Sequence, residues 1–126
     1  MSGNIVPDSN IIIGFLDNRE GFPDLSNLPT DTAIHISVIT ELELLSFSKL
    51  DSAAESIILR FLSDLTVMPL TDAIKQKTIA FRRSTNRKLP DSIIAATAIV
   101  LGATLITRDN DLLKANFPGL IAQSFI

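Results

Sequence analysis

Cysteine is absent from this 126-residue sequence, and histidine occurs only once. The lack of thiols excludes disulfide bonds, thiolate nucleophiles and zinc–thiolate sites, and it agrees with a reducing cytoplasm. The one histidine, His35, lies between apolar residues in a predicted strand, which favours a packed side chain over a general base. A metal ion in this protein would therefore have to be held by oxygen atoms.

Long hydrophobic runs and a secretory leader are lacking as well. No segment approaches the roughly 18 apolar residues that a membrane span requires. The N-terminus shows no charged segment followed by an apolar one, as a signal peptide would. We therefore expect a soluble cytoplasmic protein without a membrane partner. A length of 126 residues predicts a single domain over residues 1–126, and the 46% hydrophobic content is typical of globular proteins.

Positive charge is scarce overall but unevenly distributed. The formal net charge of −3 argues against a protein that coats nucleic acid by bulk electrostatics. Six of the eleven basic residues nevertheless fall between positions 75 and 88. The sequence leaves open whether they form a basic patch or the solvated face of a helix.

Short apolar segments alternate with helical patterns along the chain. Strands are predicted at residues 5–6, 33–36, 66–68, 104–107 and 120–122. Helices are predicted to begin at residues 9, 38, 51 or 52, 72 and 91, with the second ending at 47 and a loop over 84–90. This alternation predicts the α/β class, with a parallel sheet of about five strands that helices cover on both faces.

Four carboxylates are predicted at one edge of that sheet. Right-handed crossovers bring helix N-termini and strand C-termini to the same edge. Asp8 and Asp109 follow strands one and four, Glu41 lies early in the helix after strand two, and Asp91 begins the helix before strand four. Open α/β sheets bind ligands at this edge, where the strand order reverses. The order of strands does not follow from the sequence, so the adjacency of Asp8 and Asp109 stays open.

Each acid also has a structural interpretation. Asp8 and Asp91 could cap helices, and Asp109 could form an Asx turn. Glu43 could close a capping box, whereas Glu41 does not occupy the position that such a box requires. A cluster of carboxylates is costly, since two of them about 4 Å apart repel by roughly 4 kcal/mol at an effective dielectric near 20. Bound magnesium or manganese would relieve this repulsion.

Three segments together resemble the PIN-domain family, and specifically the VapC-type toxins of prokaryotic toxin–antitoxin pairs. They are VPDSN (6–10), SVITELEL (37–44) and LPDSIIAATAIVLGATLITRDNDL (89–112). The resemblance runs nearly the whole length, in the family's order and spacing. It implies a three-layer α/β/α sandwich, a divalent-metal-dependent endoribonuclease, a small antitoxin partner and a homodimer. Leu112, where many relatives carry an aromatic residue, and the weak helix pattern of residues 17–31 depart from the family.

The same resemblance assigns site residues and products. The family's acidic quartet, which holds one or two magnesium or manganese ions, is matched by Asp8, Glu41, Asp91 and Asp109. The polar positions around it are matched by Ser9, Asn10, Thr107 and Asp111. Apart from the resemblance, Arg87 and Lys88 closely precede Asp91, so contacts to RNA phosphates are predicted for them and, along the same basic run, for Arg83. Cleavage is expected to leave 5′-phosphate and 3′-hydroxyl ends.

Two other classes remain as alternatives. A non-catalytic module of the same fold could bind RNA or protein, although the four acids argue against it. An aspartyl-phosphate phosphatase or a receiver domain also carries Asp after the first strand. These classes need a second Asp at the position of Asn10, or a Lys near the last strand, and no Lys follows residue 114.

Overall fold

The structure is a computed structural model that describes residues 3–124. Within these residues the strands are β1 (Gly3–Pro7), β2 (Thr32–Ser37), β3 (Thr66–Met68), β4 (Thr104–Ile106) and β5 (Ala122–Gln123). The helices are α1 (Ser9–Leu16), α2 (Val38–Leu45), α3 (Ser52–Ser63), α4 (Asp72–Thr85), α5 (Leu89–Leu101) and α6 (Asn110–Lys114). No helix in the described part of the chain has the length and apolar character needed to cross a membrane.

The five strands form one parallel sheet in the order β3-β2-β1-β4-β5. The chain builds outward from β1 to β3 on one side and then returns to β4 on the other side of β1. The strand order therefore reverses between β1 and β4, where α/β sheets form their ligand crevice. In this pair Pro7 is in register with Ile106, which brings the next residues, Asp8 and Thr107, side by side.

Helices cover both faces of the sheet, as the sequence predicted. Neighbouring residues in a strand face opposite sides, so Ile5 packs in the core beneath α1, α2 and α3, whereas Val6 packs in the core beneath α4 and α5. Both side chains are fully buried. Phe81 of α4 is the largest side chain in the second core. The architecture is thus the three-layer α/β/α sandwich expected from the alternating pattern.

Several predicted element boundaries were wrong. Helix α2 ends at Leu45 rather than at residue 47, and β5 lies at residues 122–123. The connection between α4 and α5 spans only residues 86–88, not 84–90. Pro90 misled the prediction, because proline is tolerated in a first helical turn, where its missing N–H has no partner to lose. The short helix α6 was not predicted at all.

Candidate metal centre at the strand switch

An acidic cavity of about 120 Å³ lies where β1 and β4 end. Its polar lining residues are Asp8, Ser9, Asn10, Glu43, Asp91, Arg108 and Asp109. Three of the four predicted acids, Asp8, Asp91 and Asp109, thus meet in one cavity although they come from distant parts of the chain. The strand order supplies the adjacency of Asp8 and Asp109 that the sequence left open.

The Asp8 carboxylate is held at both oxygens. Oδ1 accepts a hydrogen bond from the Ile11 N–H at 3.0 Å and so caps α1. Oδ2 accepts one from the Thr107 hydroxyl at 2.5 Å. Burial raises the pKa of Asp8 most strongly, the hydrogen bonds from Thr107 and Ile11 lower it, and the charges of Asp91 and Asp109 raise it again, so that the net shift is upward. Asp8 is therefore costly to ionise unless a cation is nearby.

Thr107 connects the ends of the two central strands. Its side chain is fully buried, and its hydroxyl donates to Asp8 and accepts the Asp109 N–H at 3.0 Å. Asp109 caps α6, since its Oδ1 accepts the N–H of Asp111 at 2.9 Å. The predicted Asx turn is thus present at Asp109, which also lines the cavity.

Glu43, rather than the predicted Glu41, lines the cavity. The Ser9 hydroxyl donates to Glu43 Oε1 at 2.5 Å. Thr40 and Leu44 are the buried residues of α2. At 3.6 residues per turn, residues two apart differ by about 200° in direction, so Glu41 and Glu43 flank that buried face on opposite sides. The spacing of Thr40 and Leu44 indicates which face of α2 is buried, and that face lies between the two glutamates. The prediction did not take this spacing into account.

Arg87 bridges the acids on the other side of the cluster. Its Nη2 lies 2.9 Å from Asp91 and 2.5 Å from Asp109, and its Nη1 lies 3.1 Å from Asp111. Burial by itself would lower the pKa of the Arg87 guanidinium, but the charges of Asp109, Asp91 and Asp111 raise it overall. Arg87 was predicted to contact RNA phosphates. In this structure its charge is instead engaged by three carboxylates of the chain itself.

The local backbone explains why Arg87 reaches the acids. Asn86 ends α4 in the left-handed conformation (φ 56°), which turns the chain directly into residue 87. The Arg87 carbonyl accepts from Arg82 Nε at 3.0 Å, and the Arg87 N–H donates to the Thr85 hydroxyl at 3.3 Å. These two hydrogen bonds tie the short connection between α4 and α5 to the last turn of α4. The Arg87 side chain then reaches Asp91.

Of the other predicted residues, two line the cavity and two do not. Ser9 and Asn10 line it, as expected for the positions beside Asp8. Lys88 is the N-cap residue of α5, and Arg83 is an exposed residue in the last turn of α4; neither is among the lining residues. Arg108 does line the cavity and was missed, because nothing in the linear sequence relates it to the aromatic ring that supports it.

The donor set suits a hard divalent cation in its chemistry. All four acidic residues of the cavity offer carboxylate oxygens, the ligands that magnesium and manganese prefer. Between residues 3 and 124, however, no three acidic or histidine side chains are arranged to hold an ion as they stand. The Arg87 guanidinium, which binds Asp91 and Asp109, places a positive charge beside these two carboxylates.

Comparison with known proteins agrees with this fold. The model of the PIN domain family matches residues 5–118. A chain of a toxin–antitoxin complex from Klebsiella pneumoniae is 30% identical, with a TM-score of 0.73 over 93% of this chain and 95% of that one. A chain of the promoter-DNA-bound VapBC2 complex from Rickettsia felis is 25% identical, with a TM-score of 0.82 over 98% and 99%.

More distant structures show the same fold. A chain of the DNA-bound VapBC complex from Salmonella typhimurium has a TM-score of 0.76 and 24% identity, with 98% of both chains covered. No curated protein sequence gives a significant match. On the family match over residues 5–118 and the 30% identity to the Klebsiella chain, this protein belongs to the PIN-domain family.

Proposed function

We propose that the protein is a divalent-metal-dependent endoribonuclease that hydrolyses RNA phosphodiester bonds, and that it acts as the toxin of a toxin–antitoxin pair. The observation that carries the proposal is the convergence of carboxylates from four elements on one cavity at the strand switch. Capping explains Asp8 and Asp109 individually. It does not explain why Asp91 and Glu43 line the same cavity.

The residues proposed to hold magnesium or manganese are Asp8, Asp91, Asp109 and Glu43. When bound, the ion would make a water molecule more acidic and offset negative charge on the phosphate oxygens. Thr107 and the α1 N-terminus orient Asp8, and Ser9 orients Glu43. Such supporting hydrogen bonds fix the direction of a ligand and commonly contribute 10- to 100-fold to affinity or activity, by rough estimate. No histidine base is needed in this scheme.

Arg87 has a separate role in this proposal. Its guanidinium offsets the negative charge of Asp91 and Asp109. For these two carboxylates to hold an ion, Arg87 would have to release them, and the ion would then supply the positive charge in its place. Asp111, which is 77% exposed and pairs with Arg87, would retain the arginine nearby.

The direct test is an RNA cleavage assay of the Asp8→Asn variant. With a labelled single-stranded RNA and added magnesium or manganese, wild type should cleave and leave 5′-phosphate ends, and chelation of the metal should stop it. Asp8→Asn should lose roughly 100-fold or more of that activity. Full activity in a variant shown to be folded by circular dichroism would reject the assignment, and absence of both cleavage and metal binding in wild type would favour a non-catalytic RNA- or protein-binding module.

An antitoxin partner is supported by a different surface. An apolar groove of about 270 Å³ lies between α1, α2 and α3, and includes Ile13, Leu44, Phe47 and Ile57. Phe47, two residues after the end of α2, and Ile57 of α3 are 57% and 54% exposed and line the same groove. Contiguous exposed apolar surface of this kind marks interaction sites. The structural relatives from Klebsiella, Rickettsia and Salmonella come from toxin–antitoxin or VapBC complexes.

Co-expression tests the partner proposal. The small protein encoded by the adjacent reading frame should copurify with this chain and suppress RNA cleavage. Phe47→Asp should weaken that complex, whereas the exposed Arg60→Gln on α3 should not. Light scattering of the isolated chain tests the expected homodimer. A complex that forms equally well with Phe47→Asp would exclude the groove as its docking surface.

A further inference from the structure

Arg108 lines the acidic cavity, and no carboxylate in the described part of the chain forms an ion pair with it. Within residues 3–124 the ion pairs involve Arg19, Lys75 and Arg87, and Arg108 takes part in none of them. It nevertheless lines the cavity between Thr107 and Asp109, amid carboxylates that could have attracted it. A partner other than a carboxylate therefore determines where its guanidinium lies.

The ring of Phe22 holds the guanidinium in place. The Arg108 Cζ lies 4.3 Å from the ring centroid, a cation–π contact. Stacking of this kind covers one face of the planar guanidinium and leaves its N–H edge available for another partner. The connection between α1 and β2, which the sequence presented only as a turn-rich segment, thus contributes a platform to the cavity.

The Phe22 ring can occupy this position because Gly14 of α1 has no side chain. A Cβ atom at Gly14 would lie 2.1 Å from Phe22 Cδ2 and 2.4 Å from Cγ. The ring therefore packs directly against the helix backbone, at a distance that any other residue at position 14 would prevent. Gly14, Phe22 and Arg108 form one support that leads from α1 to the rim of the cavity.

We propose that Arg108 binds a backbone phosphate of the RNA substrate next to the acidic cluster. This inference rests on the proposed nuclease function and adds a substrate contact to it. A cavity lined by four carboxylates repels a phosphodiester, and Arg108 is the one basic side chain among the residues that line it in the described part of the chain. Arg108 offers the N–H donors that suit a phosphate, already oriented by Phe22. It would position substrate without holding the metal ion.

The test compares Arg108→Gln with Arg60→Gln, which removes the same charge from the exposed face of α3. Steady-state cleavage of single-stranded RNA by Arg108→Gln should show a roughly tenfold higher KM, as expected for loss of a charge-assisted hydrogen bond. The dependence of RNA affinity on salt should weaken by about one charge. Manganese affinity, measured by calorimetry, should not fall. Arg60→Gln should match wild type in all three measurements.

A second variant tests whether the placement of the Arg108 side chain, as well as its charge, contributes to substrate binding. Phe22→Leu retains the Arg108 charge but removes the ring beneath it, so its KM should rise less than that of Arg108→Gln while its manganese affinity stays unchanged. Wild-type KM and salt dependence in Arg108→Gln would overturn the Arg108 contact while leaving the nuclease proposal intact. Loss of manganese affinity in Arg108→Gln would also overturn it, since the residue would then act on the metal site. Absence of metal-dependent cleavage in wild type would reject the nuclease proposal, and the substrate contact with it.

Discussion

The two oxygens of the Asp8 carboxylate have different partners, so capping a helix and lining the cavity do not exclude each other. Oδ1 caps α1 through the Ile11 N–H, and Oδ2 accepts from Thr107 at the end of β4. Asp109 likewise caps α6 while it lines the cavity. Capping residues stand at helix N-termini, and these termini meet the strand ends at the same edge. The structural and the chemical interpretation of these acids are thus compatible.

At the residue scale, Asp8→Asn should stabilise the metal-free protein near neutral pH. Asparagine caps helices as well as aspartate does, and the variant removes a buried charge whose pKa is raised above 3.8. An acid with a raised folded pKa destabilises the fold progressively as pH rises from its unfolded value through its folded value, and fully above it. The gain of the variant should therefore be largest near neutral pH and should shrink as the solution becomes acidic.

Thermal unfolding of both proteins with a chelator present, at about pH 7 and about pH 4, measures this difference. Because wild type and Asp8→Asn share every other titrating group, the pH dependence of the difference between their melting temperatures reports on Asp8. A variant that melts below wild type near neutral pH would mean that the charged form of Asp8 stabilises the fold, against the electrostatic account.

The two glutamates of α2 provide a matched pair of variants. Glu43→Gln should lower RNA cleavage roughly 10- to 100-fold, because Glu43 lines the cavity and is held by Ser9 at 2.5 Å. Glu41→Gln should retain activity close to that of wild type. Both changes remove one charge from the same helix, so only position differs. The opposite ranking would restore Glu41 to the site and contradict the helical phase described here.

At the scale of elements, the connection between α4 and α5 supplies the counter-charge of the acid cluster. Arg87→Met in the metal-free protein should lower the free energy of unfolding by about 1–3 kcal/mol, because Asp91 and Asp109 lose a charged hydrogen-bond partner. The exposed pair with Asp111 should contribute little. The same variant should bind manganese more tightly, by on the order of tenfold, since no resident cation competes with the ion.

Arg83→Met is the control for this change, as Arg83 is an exposed residue in the last turn of α4. Urea unfolding and calorimetric manganese titration should leave the control near wild type. Equal manganese affinity in Arg87→Met and Arg83→Met would show that Arg87 does not compete for the site.

Packing between α1 and the segment that follows it gives a further prediction. Gly14→Ala should destabilise the protein by about 1–3 kcal/mol, since its Cβ would overlap the Phe22 ring. Alanine is otherwise preferred in a helix by about 1 kcal/mol. In a Phe22→Ala background the same change should therefore be neutral or stabilising. Urea unfolding of the four proteins measures the coupling, and additive effects of the two substitutions would refute the contact.

At the scale of the whole molecule, the fold class was predictable and the strand order was not. Apolar strands alternating with helices indicate a covered parallel sheet, because each element must bury one face. That argument depends only on the pattern within each element, so it holds for any order of strands in the sheet. The adjacency of β1 and β4 depends on crossovers between distant segments, and only the register of Pro7 with Ile106 brings Asp8 beside Thr107.

The residues of the candidate site likewise include some that could be predicted from the sequence and some that could not. Asp8, Asp91 and Asp109 were predictable because the ends of elements fall on a known edge. Glu43 was missed because its place depends on the rotation of α2 about its axis. Arg87 was expected to face RNA, whereas the short connection after α4 turns it onto the acids. Arg108 depends on Phe22, a contact between residues 86 positions apart.

The most direct test of the central claim is a crystal structure of the protein soaked with Mn²⁺, with anomalous scattering used to locate the ion. We expect an anomalous peak in the cavity, in contact with carboxylate oxygens of Asp8, Asp91 and Asp109, and an Arg87 side chain that has left Asp91 and Asp109. A cavity without a peak at saturating Mn²⁺, with Arg87 still bridging the same two carboxylates, would contradict the assignment of a metal centre.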